Sequence, residues 1–161
     1  MTAVSAFARN GRLVRHAASA RRVSVGLLFA WGLLHVVGGA ALVFDSLNGS
    51  GRDALVSLGS AAAESDIPAE PGPVVNGAIG FHAANILSAG IAVSALALLA
   101  ARRWPMGMST ALGISLVLDA WLIVFLLAPG RMAPGDGVWG PLLLVLAGLA
   151  AWRADWRPGQ L

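Results

Sequence analysis

Apolar residues in this chain neither alternate with polar ones, as in a half-buried strand, nor form the narrow stripe of a soluble amphipathic helix. They run together. Residues 23–44 hold no formal charge, only His35, and residues 74–101 are again uncharged. Residues 106–128 are interrupted only by Asp119, and residues 138–152 form a shorter fourth run. A hydrocarbon core about 30 Å thick takes roughly 20 apolar residues in a helix. The pattern predicts an all-α fold: an integral membrane four-helix bundle with an outer loop of about 30 residues between helices 1 and 2. The fourth run is short because Pro134 and Asp136 suit a helix start better than a helix interior.

Composition points the same way. The chain of 161 residues is 57% hydrophobic and 12% charged, where a soluble domain carries about 25% charged residues. In water it would expose apolar patches that soluble monomers avoid. The net charge of +3 raises nucleic acid as a partner. Yet all eleven basic residues are Arg, and they stand at the edges of apolar runs, not on one continuous basic face. The expected partner is a lipid bilayer, not nucleic acid. With no Cys, disulfides, thiolate metal sites and thiol redox chemistry are excluded. The all-Arg, Ala- and Gly-rich composition suggests a high-GC bacterial genome, and so a bacterial inner (plasma) membrane.

Arginine placement predicts the orientation. Arg9, Arg12, Arg15, Arg21 and Arg22 precede the first run, Arg102 and Arg103 separate the second and third, and Arg153 and Arg157 follow the fourth. Only Arg52 and Arg131 fall on the other side. The positive-inside rule then puts both the N-terminus and the C-terminus in the cytoplasm. Trp104, Trp152 and Trp156 fall at the inner interface and Trp139 at the outer one, where amphipathic rings anchor.

Residues 1–22 form a basic cytoplasmic segment, read either as an interfacial helix on anionic lipid or as a positive tail that only sets topology. Arg21-Arg22 before an apolar run resembles a loose twin-arginine signal. The long run and the lack of a small-residue cleavage site favour a retained span. In the outer loop, Leu55, Leu58 and Ala62 share a helical face, which suggests a short helix over residues 53–63. Residues 154–161 form a cytoplasmic tail.

The chemistry centres on Asp119. An ionised carboxylate at mid-span costs at least roughly 2.5 kcal/mol, so Asp119 is expected to face the bundle interior and to need a partner or a proton. Ser115 lies one turn earlier on the same face. At 1.5 Å per residue, Asp119 and His35 both come out about 3 Å outward of their span centres, Asn85 about 5 Å and His82 about 10 Å. These four, with Ser115, Trp31 and Trp121, are the candidate polar pocket. The competing reading is structural: one polar bond between helices is common in membrane bundles and contributes about 0.6 kcal/mol.

Other chemistries find less support. No metal is expected, because His35, His82 and Asp119 come from three helices without a paired-ligand motif. Haem or quinone binding rests on two His alone, and no cofactor is predicted. No nucleophile motif is present. Small-xxx-small pairs (Gly26 and Ala30, Gly80 and Ala84, Ala84 and Ser88, Gly90 and Ser94, Ser109 and Gly113) suit close helix packing, with any spare small face available to a homo-oligomer or a larger membrane complex. Gly38 and Gly39 are packing positions, and Met106 and Met108 fill gaps.

The segment Trp31-Gly32-Leu33-Leu34-His35-Val36-Val37-Gly38-Gly39 resembles the first span of small, uncharacterised four-span proteins of actinobacteria. The resemblance implies an architecture and no activity. The expected function is a non-catalytic membrane protein, an accessory or envelope component. The alternatives are a carrier or binder of a proton-coupled solute, quinone or haem through the His/Asp/Asn cluster, and an intramembrane lipid-modifying enzyme with His82 as base.

Overall fold

The computed structural model describes the backbone of residues 3–48, 51–57, 72–104 and 106–155, and the side chains within 16–48, 52–56, 72–104 and 106–154. Among the described residues the regular elements are helices. Helix α1 is Ala3–Asn48, 46 residues or about 69 Å long. The basic N-terminal segment is therefore the first turns of the same helix, not a separate element. Residues 3–22 contain no Pro and are rich in Ala and Arg, both strong helix formers, so nothing stops the helix where the charge ends. Helix α2, Gly51–Ser57, covers the start of the expected loop helix; residues 58–63 lie outside the described residues. Its Ala54 is buried with Leu42 of α1 and Ala83 of helix α3, Pro73–Ala101.

Helix α3 opens on Pro73, where a missing backbone N–H costs nothing. It closes with Arg103 in the left-handed region at φ 66°, while the Trp104 N–H donates to Leu99 O at 3.0 Å and the Arg103 N–H to Ala100 O at 3.0 Å. This is the reversal that glycine usually provides. Arg103→Gly is expected to raise stability by about 1 kcal/mol by relieving the left-handed strain, read as a higher unfolding temperature in detergent.

Helix α4, Gly107–Leu122, runs on as a wide turn over Ile123–Leu127, where the Ala128 N–H reaches back five residues to Ile123 O at 2.8 Å. The fourth apolar run lies in α6, Trp139–Asp155, and a short helix α5, Pro134–Gly137, precedes it with Pro134 at its start. The stretches His16–Asn48, Pro73–Ala101 and Gly107–Leu127 are each long and apolar enough to cross a membrane. The segment Trp139–Ala154 is apolar but shorter.

Helix α1 packs against α3 and α6, and α4 closes the ring against the same two, so α1 and α4 stand diagonally across the bundle. Ring neighbours are antiparallel. Along α1 and α3, Gly32 lies against Gly90 and Ser94, Gly39 against Leu87, and Gly80 against Ser46. Along α1 and α6, the Ser24 hydroxyl donates to Ala147 O at 2.9 Å, while Gly140 sits beside Trp31 and His35. The core is Leu28, Trp31, Val93, Ala97, Ala111, Leu144 and Ala147. The buried face of α4 repeats every four residues (Gly107, Ala111, Ser115, Asp119), so the helical period that buries three small residues also brings a carboxylate into the centre.

Candidate functional site

Asp119 is 2% exposed and Trp31 is fully buried. The Trp31 indole N–H donates to Asp119 Oδ2 at 3.0 Å, a bond that crosses the bundle diagonal from α1 to α4. The other carboxylate oxygen, Oδ1, is buried without a hydrogen-bond partner, and so is Ser115 Oγ one turn earlier. Two buried orphan oxygens on adjacent turns are unusual, since nearly all such groups are paired in folded proteins.

His35 follows Trp31 by one turn of α1, and the two rings stack with centroids 3.7 Å apart and planes 20° apart. Its Nδ1 lies 2.9 Å from Trp31 O. A carbonyl oxygen only accepts, so the ring carries a hydrogen on Nδ1 and turns Nε2 elsewhere. His35 is half-buried, which places it between the sealed Asp119 and the edge of the bundle.

Gly140 of α6 completes the cluster. A β-carbon there would sit 2.9 Å from Asp119 Oδ1, 3.3 Å from His35 Cε1 and 3.5 Å from Trp31 Nε1. All three groups therefore converge on one point that only the missing side chain leaves open. Sequence reasoning did not single out Gly140; its signal is its place at helical spacing with Leu144, Ala147 and Ala151 along the buried face of α6. Ser24, also buried and bonded across helices, was missed because an isolated Ser in an apolar run has no distinguishing neighbour.

The expected pocket is thus brought together in part. Trp31, His35 and Asp119 converge, Ser115 is buried one turn before Asp119 on the same face of α4, and Trp31 is a hydrogen-bond donor as well as a wall. Trp121 does not join them: two residues past Asp119 means about 200° around the helix, and the ring is 57% exposed and stacked on Phe125. Asn85 and His82 are exposed on α3. Gly90 is the α3 residue against His35, and His82 lies eight residues, about 12 Å, away from it along the axis. Among the described residues no group of three or more His, Cys, Asp or Glu is placed to hold a metal ion. The outward face of α3 and α4 carries an open apolar groove of about 370 Å³ lined by Ala89, Gly113, Ile114, Val117 and Leu118.

Comparison of the chain with protein-family models, with curated proteins and with solved structures finds no match.

Proposed function

We propose that this protein is a four-span, non-catalytic component of a bacterial plasma membrane, an accessory or envelope protein. In this reading both termini are cytoplasmic, and the Trp31–Asp119 bond holds the bundle centre together. The observation that carries it is that bond. It joins the two helices of the ring that scarcely touch otherwise, and a fully buried Trp31 fills the space around it. The Arg asymmetry favours the orientation, as do Trp104, Trp152 and Trp139, all exposed at the ends of the spans. At the end assigned to the cytoplasm, Arg21 of α1 donates to Ala100 O at 3.2 Å, a cation on a helix C-terminus.

The absence of Cys makes the topology directly testable. With single cysteines at Ser19, Arg103, Gly135 and Gly159 in turn, an impermeant maleimide should label only Gly135→Cys on intact cells. The other three should label after permeabilisation. Labelling of Gly159→Cys from outside would show that residues 139–155 do not cross, and the four-span reading would fall.

The orphaned Asp119 Oδ1 favours a second reading, a protein whose central carboxylate exchanges a proton with its surroundings.

A further inference from the structure

We propose that the outer half of α3 is a dimer interface, where a second copy of this chain packs its own α3 with Asn85 against Asn85 and His82 against His82. The inference rests on α3 being a membrane span and on no other part of the reading above.

Ala78, His82, Asn85, Ala89 and Ala92 follow one another along α3 at spacings of four, three, four and three residues. That repeat keeps one seam of a helix facing a parallel neighbour. Asn85 stands five residues from Gly90, or about 140° around the helix, so the seam points away from α1. Among the described residues α4 is the helix that meets it, and in the inner half alone. There Gly107 lies against Leu96 and Ala100, and Ala89 shares the apolar groove with Gly113, Ile114, Val117 and Leu118. Outward of that level Ala78, His82 and Asn85 are exposed, and Trp121 of α4 stacks on Phe125 instead of covering them.

Exposure to lipid is costly for these two polar side chains. Asn85 sits about 5 Å and His82 about 10 Å outward of the span centre, inside a hydrocarbon core that reaches about 15 Å. Neither has a hydrogen-bond partner among the described residues. Acyl chains supply no donor or acceptor. Residues 58–71 precede α3 but contain Glu64, Asp66 and Glu70, charges that belong at the aqueous edge and not at the depth of Asn85.

A second copy supplies what lipid lacks. Copies inserted in one orientation are related by a two-fold axis along the membrane normal, so each seam residue meets its own counterpart at equal depth. An amide carries both donor and acceptor, and so does a neutral imidazole, so each is its own hydrogen-bond partner. An Asn in such a seam also fixes the register and the number of helices. Ala78 and Ala89, on either side of the polar pair, let the two backbones come close enough for those side chains to meet.

Single cysteines test this in native membranes, since the chain has none of its own. Under mild oxidation Ala78→Cys should give a covalent dimer, because a disulfide joins only Cα atoms within about 7 Å. Val145→Cys, exposed on α6, should stay monomeric. In lipid vesicles, energy transfer between labelled copies should report a dimer whose dissociation constant rises roughly 10-fold in Asn85→Leu and recovers in Asn85→Gln. Leucine suits hydrocarbon, so α3 remains a span in that variant. The proposal is overturned if Ala78→Cys gives no covalent dimer, if its cross-linked product joins one chain to a different protein, or if Asn85→Leu dimerises as tightly as the unsubstituted chain. Each of these results would leave the maleimide pattern, and the four-span reading with it, intact.

Discussion

Trp31→Ala should be the most damaging single substitution in this protein, lowering stability by about 3–5 kcal/mol. The indole is fully buried among Leu28, Val93, Ala111 and Ala147, so truncation leaves a cavity whose lining loses its packing partners. It also strips the buried Asp119 Oδ2 of its donor. Lipid weakens the hydrophobic part of this cost, because a helix separated from the bundle still meets apolar surroundings; the lost contacts and the orphaned carboxylate remain. Trp31→Phe keeps most of the aromatic volume and removes the N–H. It should cost about 1–3 kcal/mol, the usual result of leaving a buried polar group unpaired. Reversible unfolding in mixed micelles reads both. Equal losses for Ala and Phe would mean that the hydrogen bond, not the volume, dominates.

The second large effect is expected at Gly90. A β-carbon there would lie 2.7 Å from Gly32 O and 2.7 Å from Val36 N, both rigid backbone of α1. No rotamer change relieves that contact, so α1 and α3 must separate along the seam that also holds Gly39 against Leu87. Gly90→Ala should cost about 1–3 kcal/mol, and Gly90→Leu more. Gly26 and Gly113 provide the contrast. Nothing lies within 4 Å of a β-carbon at either position, so alanine should be neutral or stabilising by up to about 1 kcal/mol through helix propensity. The same melting experiment, run on the three alanine variants side by side, separates packing glycines from exposed ones.

That contrast shows where sequence reasoning stopped. Gly26 and Gly90 each head a small-xxx-small pair, yet only Gly90 touches a neighbouring helix. Spacing identifies a small face; which face meets a partner depends on rotation about the helix axis, and that is decided by the whole bundle. The same limit explains the site. Depth arithmetic placed His35 and Asp119 at one level, and the burial cost of a carboxylate turned Asp119 inward, so their meeting could be read from the residues. Asn85 and His82 satisfied depth only roughly and rotation not at all; α3 turns Ala83, Gly90 and Val93 inward instead. The apolar runs marked the helices because a 20-residue stretch without charge has few other uses. The start of α1 was not visible in the same way. Charge marks where a chain leaves hydrocarbon, whereas a helix ends only where propensity or a cap ends it, and residues 3–22 offer neither.

Trp31 and Asp119 should be energetically coupled across the bundle through their hydrogen bond. A double-mutant cycle with Trp31→Phe, Asp119→Leu and the double variant, each followed by reversible unfolding in the same micelles, measures that coupling. A coupling of at least about 0.5 kcal/mol is predicted, the second substitution costing less once the first is made. Strict additivity of the two single losses would contradict it.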